Sequence, residues 1–231
     1  MPSILDFLFP KRSLSGSEGE WITPSELSHL ISHPRIFEEK ELKNRGMPSL
    51  DRLFAVSTYG DSPLLRKAIH TFKYQRISGL GETLRRLMAE TVSRFFPLRR
   101  DACVCPVPLH FTRRFWRGFN QAEILASGLA LRSGLPLRHL LCRIRPTGHQ
   151  ARRRREERLE AMKGAFAIGL GLGLGRQRIC SWFPNPNPNP IPFCVYLVDD
   201  LTTTGATLEE CAKVLRKAGV RRIEGIVLAH G

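Results

Sequence analysis

Two carboxylates, Asp199 and Asp200, stand side by side after the apolar run Cys194-Val195-Tyr196-Leu197-Val198, and the turn Thr202-Thr203-Thr204-Gly205-Ala206-Thr207 follows. Carboxylate oxygens accept hydrogen bonds from sugar hydroxyls and hold hard cations. Backbone N–H groups of a small-residue turn that opens a helix, joined by threonine hydroxyls, hold a phosphate. Together they suit a phosphorylated polyol. Two commoner phosphate loops are excluded. No lysine follows Gly205, as a nucleoside-triphosphatase loop requires, and one glycine stands where a dinucleotide fingerprint has three. Aspartates also end strands for local reasons; the pair, joined to the threonine turn, is what marks a ligand site. Adjacent side chains on a strand diverge, so one aspartate is expected to face the sugar and the other a metal or a basic group.

A second anion-binding position is expected where Arg113, Arg114 and Arg117 precede Gly118 and Asn120. Asn120 reads as a helix cap with Glu123 three positions on, so cations and a helix N-terminus meet there. Arg117 and Asn120 are its best candidates. Lys73 can reach the same charge, although a lysine on a helix ordinarily faces solvent. From Arg143 to Glu160 the chain is dense in arginine, including Arg145 and the run Arg152–Arg155. This segment is a hood that closes over substrate, a basic strip that touches nucleic acid, or a charged surface helix balanced by Glu156, Glu157 and Glu160.

These residues must be placed by a scaffold, and its elements alternate. Thr23-Pro24-Ser25-Glu26 reads as a helix start. Phe54–Tyr59 reads as a strand. Leu64, Leu65, Ala68, Ile69 and Phe72 recur at helical spacing, and after Gly79 and Gly81 so do Leu84, Leu87, Met88 and Val92. Ala102–Val107 is a second strand of the buried type. A helix follows Asn120, with Ile124, Leu125, Leu129 and Leu131 as its apolar line and Gly134 as its stop. Phe166 begins a glycine-rich alternation through Gly175. Alternating prolines from Pro184 to Pro190 forbid helix and central strand, leaving a spacer. A helical pattern runs from Leu208 to Ala218, and Ile223–Leu228 closes as a strand. The fold class expected is α/β, an open and mostly parallel sheet flanked by helices with a small hood, whose ligands sit beyond the carboxyl ends of the strands. Residues 1–50 are read as a separate N-terminal segment and residues 51–231 as the main domain.

The chain carries 36 Lys plus Arg against 21 Asp plus Glu, a net charge of +15. That surplus attracts polyanions without choosing among nucleotides, nucleic acid and acidic lipid. No apolar run is long enough to span a bilayer, and Met1–Pro10 carries Asp6 and lacks a basic leader. The expectation is a cytoplasmic protein without a membrane partner. Cys103 and Cys105 are one residue apart, a poor zinc spacing, and His29 and His33 have no third ligand beside them. Reduced thiols, no zinc and no disulfide framework are expected.

The segment Val195–Thr207 resembles the phosphoribosyl-pyrophosphate motif of type I phosphoribosyltransferases. Within that fold the chain is similar to the ComF/GntX family of competence-related proteins. Pro106-Val107-Pro108-Leu109-His110 with Arg117-Gly118-Phe119-Asn120-Gln121-Ala122 resembles its second signature. Arg143, Arg145, Thr147, Gln150, Arg158 and Gly164-Ala165-Phe166 resemble its third, and Phe72-Lys73-Tyr74 its upstream Lys-Tyr element. The resemblance covers roughly residues 54–230. It departs at Ala161 and Arg153, where the family usually has Asn and Leu, and in the N-terminal four-cysteine zinc module, since residues 1–102 contain no cysteine.

The resemblance implies that Asp199 and Asp200 contact the ribose hydroxyls directly or through Mg²⁺. It implies that the turn through Thr207 wraps the 5′-phosphate. Lys73, Arg117, Asn120, Arg145 and Gln150 would add contacts to substrate. The implied activity is a Mg²⁺-dependent phosphoribosyltransferase that binds phosphoribosyl pyrophosphate or a nucleotide. The alternative is a DNA-uptake accessory that binds single-stranded DNA or a helicase. A homodimer is left open.

Overall fold

The computed structural model describes residues 22–23, 26, 34–60, 63–74, 78–110, 112, 115, 118–146, 155–169 and 192–231. The expectations for residues 1–21, for the histidine pair, for Arg113, Arg114, Arg117, Thr147, Gln150 and Arg152–Arg154, and for the proline tract lie outside these residues.

Among the described residues a five-stranded sheet has the order β1-β2-β7-β6-β3. Its strands are β1 (Arg35–Glu38), β2 (Arg52–Thr58), β3 (Ala102–Pro106), β6 (Cys194–Thr202) and β7 (Arg222–His230). β1 runs antiparallel to β2, and the remaining pairings are parallel. A two-stranded antiparallel sheet, β4 (Leu141–Arg143) with β5 (Phe166–Ile168), stands apart. The helices are α1 (Glu39–Asn44), α2 (Pro63–Tyr74), α3 (Ser78–Phe95), α4 (Gln121–Ser133), α5 (Arg155–Met162) and α6 (Ala206–Lys217). The fold is thus α/β with a mostly parallel sheet flanked by helices.

The sheet is buried on both faces, which is why β6 reads as continuous apolar sequence. Cys194, Tyr196 and Val198 enter one core with α2, α3 and α4. Val195 and Leu197 enter the other with α6 and the β4–β5 pair. This period-two division of one strand between two cores fixes the register, and the register sets where Asp199 and Asp200 emerge. Gly225 on β7 leaves room for the side chain of its partner on β2, since a Cβ there would lie 2.7 Å from Leu53 Cδ1.

Residues 34–50 are joined to this scaffold. β1 is an outer strand of the sheet, and Phe37, Leu42, Met47 and Leu50 are buried in the same core as Leu53, Leu208 and Leu215. Ser49 donates from its N–H and Oγ to the two carboxylate oxygens of Glu209, at 3.0 and 2.8 Å. The helix start at Thr23 has reciprocal capping: Thr23 N–H donates to Glu26 Oε2 at 2.6 Å and Glu26 N–H to Thr23 Oγ1 at 3.3 Å. Gly79 and Gly81 lie inside the first turns of α3 and do not interrupt it. Leu131, assigned to the apolar line of α4, is 77% exposed. The buried face runs instead through Ala122, Leu125, Ala126, Leu129 and Ala130, because close packing on α3 favours small residues. There Gly128 sits so near that a Cβ would meet Arg85 Cβ at 2.8 Å.

Candidate functional site

β6, α2, α4 and β4 converge at the carboxyl end of the sheet. An open cleft of about 160 Å³ lies there, lined by Lys73, Asn120, Arg143, Asp199, Asp200 and Thr207 with the Val107–Leu109 turn. It is the position where open α/β sheets bind ligands.

Asp199 and Asp200 both line this cleft although they alternate along β6. Asp200 is nearly buried, and its Oδ2 lies 3.1 Å from Lys73 Nζ at the last turn of α2. Asp199 Oδ1 accepts the Asp200 N–H at 2.8 Å. Burial, and next the negative charge of Asp200, push the Asp199 carboxyl well above the ordinary carboxylate range, while Lys73 and Arg143 draw it back. The pair is an electrostatically loaded acceptor, ready to be relieved by hydroxyl donors or a cation.

The turn beyond them is built on one backbone requirement. Gly205 has φ +75° and caps α6 in the left-handed region, which favours glycine. Its carbonyl accepts the Glu209 N–H at 2.9 Å, the first bond of the helix. Thr204 Oγ1 accepts from Ala206 N–H at 3.4 Å. Thr203 is exposed, Thr204 and Thr207 are half-buried, and Thr202 and Ala206 are buried. The Thr202 carbonyl accepts from Gly231 N–H at 2.9 Å, so Thr202 belongs to the sheet while Thr203 and Thr204 form the open turn.

Asn120 joins two elements. Its Oδ1 accepts from Ala122 N–H at 3.2 Å, capping α4, and its Nδ2 donates to the Val107 carbonyl at 3.1 Å, holding the end of β3. Gln121 reaches back with Nε2 at 3.5 Å from the carbonyls of both Phe72 and Lys73, the helix end that carries the lysine. Arg145 is exposed; its Nη2 donates to the Lys163 carbonyl at 2.6 Å, and it is not among the cleft-lining side chains. Arg117 and Gln150 lie outside the described residues.

Arg143 is in the cleft wall, though the sequence placed it only in the arginine-dense segment and in the resemblance to the family's third signature, and not among the candidate contacts. It sits on β4, with Nη2 3.7 Å from Met162 Sδ and its guanidinium 5.3 Å from the Phe166 ring centroid. The available signal was its place directly after the apolar Leu141-Cys142, which makes it a strand residue and separates it from the arginine run that follows.

Adjacent carboxylates are the oxygen donors a Mg²⁺ ion takes. Among the described residues no cluster of three or more His, Cys, Asp or Glu forms a cage around a cation. Asp199 and Asp200 are the side chains that would hold such a cation, with waters or ligand oxygens filling the rest of its shell. The five described cysteines, Cys103, Cys105, Cys142, Cys194 and Cys211, are buried free thiols. No described helix is long and apolar enough to cross a membrane.

No protein-family model matches the chain. Among curated proteins it is 31% identical over 181 residues to competence protein F of Haemophilus influenzae, covering 77% of this chain and 72% of that protein. It is 30% identical over 182 residues to the DNA utilization protein YhgH of Salmonella typhimurium, covering 77% and 71%. With competence protein ComFC of Bacillus subtilis the identity is 28% over 170 residues, 71% of this chain and 58% of that one.

Proposed function

From the premise that this chain belongs to the family of competence protein F and the DNA utilization proteins, we propose that it serves DNA uptake or utilisation through a cleft that binds a phosphoribosyl ligand. The observation that carries the ligand is that Asp199 and Asp200 and, beyond the Gly205 turn that follows them, Thr207 line one cleft with Lys73, Asn120 and Arg143. Carboxylates match the 2′ and 3′ hydroxyls of a ribose. The open turn and the start of α6 match its 5′-phosphate. The basic wall matches a pyrophosphate or a second phosphate. The role in DNA handling is supported by the relatives' names and by the +15 charge.

A finer reading is supported by the same geometry. Phosphoribosyl transfer displaces pyrophosphate at the anomeric carbon of the ribose, and it asks a protein mainly for positioning and charge stabilisation. Asp199 and Asp200 would hold a Mg²⁺ together with the ligand's oxygens, and that ion would supply charge neutralisation on the pyrophosphate. Lys73 and Arg143 would add fixed positive charge, and Asn120 would keep the β3–α4 corner in place.

The test is calorimetry with phosphoribosyl pyrophosphate plus Mg²⁺, in parallel with a short single-stranded DNA. Saturable binding of the sugar phosphate supports the cleft assignment, and its absence overturns it. Binding of DNA alone would leave the accessory role without a phosphoribosyl site.

A further inference from the structure

The ion pair between Lys73 and Asp200 is out of place for a surface lysine. Its two residues come from the last turn of α2 and the carboxyl end of β6. The Asp200 side chain is 8% exposed and that of Lys73 21%. Both line the cleft with Asp199, Arg143 and Asn120. A charge taken so far from water needs a partner, and the partner of Asp200 is this ammonium. The backbone at the end of α2 is held by the rest of the site. Gln121 Nε2 approaches the Phe72 and Lys73 carbonyls at 3.5 Å, and the Phe72 ring packs on Phe119 at 5.8 Å. The helix end is fixed, and the four-carbon stem of the lysine is left to redirect its charge.

We propose that Lys73 is the resident counter-ion of Asp200, holding the place of a divalent cation until a phosphoribosyl ligand arrives and its phosphates take the ammonium over. This rests on reading the cleft as a phosphoribosyl site. An ammonium and a divalent cation competing for one carboxylate repel each other strongly at such separations. The ligand-free protein therefore excludes the cation. An anion that draws Lys73 off Asp200 opens the carboxylate pair, so sugar phosphate and cation bind cooperatively, each raising the affinity of the other by the same factor. The device makes the site respond to the metal–ligand complex and not to the metal alone.

Mn²⁺, read as free ion by electron paramagnetic resonance, is the probe. It is titrated into the ligand-free wild type, Lys73→Met, and Lys73→Met with Asp200→Asn, each confirmed to melt as a folded protein. Lys73→Met is expected to take up one equivalent of Mn²⁺ at least tenfold more tightly than wild type, and the double variant is expected to lose it. Superimposable isotherms for wild type and Lys73→Met overturn the proposal. A second arm needs no variant: in wild type, saturating phosphoribosyl pyrophosphate, whose pyrophosphate reaches the basic wall that carries Lys73, is expected to raise Mn²⁺ affinity at least tenfold above what the sugar phosphate itself binds. Unchanged Mn²⁺ affinity, with phosphoribosyl pyrophosphate shown by calorimetry to be bound, overturns it as well. If phosphoribosyl pyrophosphate does not bind, the phosphoribosyl assignment fails, and the comparison of Lys73→Met with wild type still decides the counter-ion role.

Discussion

Met47 lies directly over Gly205: a Cβ placed on that glycine would overlap the methionine Sδ and stand 2.6 Å from its Cγ. Met47, in the segment before β2, therefore roofs the Gly205 turn, and the turn's backbone conformation and its packing demand the same residue. Alanine at position 205 meets both a left-handed φ and a filled space. Gly205→Ala is expected to cost about 2–4 kcal/mol, from backbone strain and overpacking together, and to abolish sugar-phosphate binding. Gly60 is the control, since a Cβ there would have no neighbour within 4 Å; Gly60→Ala is expected to stay within about 0.5 kcal/mol of wild type. Chemical denaturation of both variants measures the difference.

Asp199 gives a pH-dependent stability whose sign is opposite to that of an ordinary ion-paired carboxylate. Burial and the Asp200 charge raise its folded value above the 3.8 of an unperturbed side chain. As pH climbs past 3.8, the unfolded chain releases a proton that the fold still holds, so stability falls until the folded carboxyl ionises. Asp199→Asn removes that loss. The ligand-free variant is expected to melt about 2–4 °C above wild type at neutral pH, the shift that ~1 kcal/mol produces in a chain of this size, with the gain vanishing in acid below the ordinary carboxylate range. Melting curves across pH check this; a variant less stable than wild type at neutral pH would contradict it.

His230 acts in the reverse sense. Its ring is buried beside Phe37, with centroids 4.5 Å apart, and Arg45 Nη1 lies 3.0 Å from Nε2. A guanidinium only donates, so Nε2 accepts and the ring is neutral. Burial, then the charges of Arg45 and Arg35, lower its value from 6.5 to about 4. Below pH 6.5 the unfolded chain takes up a proton that the fold refuses, and stability drops as pH falls toward 4. His230→Gln keeps an acceptor for Arg45 and does not titrate. It is expected to remove an acid-side loss on the order of 2 kcal/mol, seen as a flatter denaturation midpoint between pH 6.5 and 4.

The legible parts of the sequence were those where one physical rule acts alone. β6 showed itself because both of its faces are buried, and Asn120 because a helix cap needs a side-chain acceptor there. β1, α1 and β4 were less legible. β1 and β4 are only four and three residues long, too short to display a period, and they are held by pairing with β2 and β5. Leu131 misled because periodicity marks a face without showing how wide it is, and Gly128 lets α3 approach closely enough to shift the contact. In the site, the aspartates and the threonine turn are contiguous in sequence and can be read together. Arg143 enters from a separate sheet, and only tertiary structure brings it to the cleft.

We propose that Asp199 and Asp200 receive a ribose whose phosphate sits on the Gly205 turn. Calorimetry of phosphoribosyl pyrophosphate with Mg²⁺ on wild type and Asp200→Asn tests it most directly. Saturable binding of a single ligand by wild type is expected, with a loss of about 1–3 kcal/mol in the variant, since a charged acceptor becomes a neutral one. Equal affinity in the two proteins, or no binding by wild type, would contradict it.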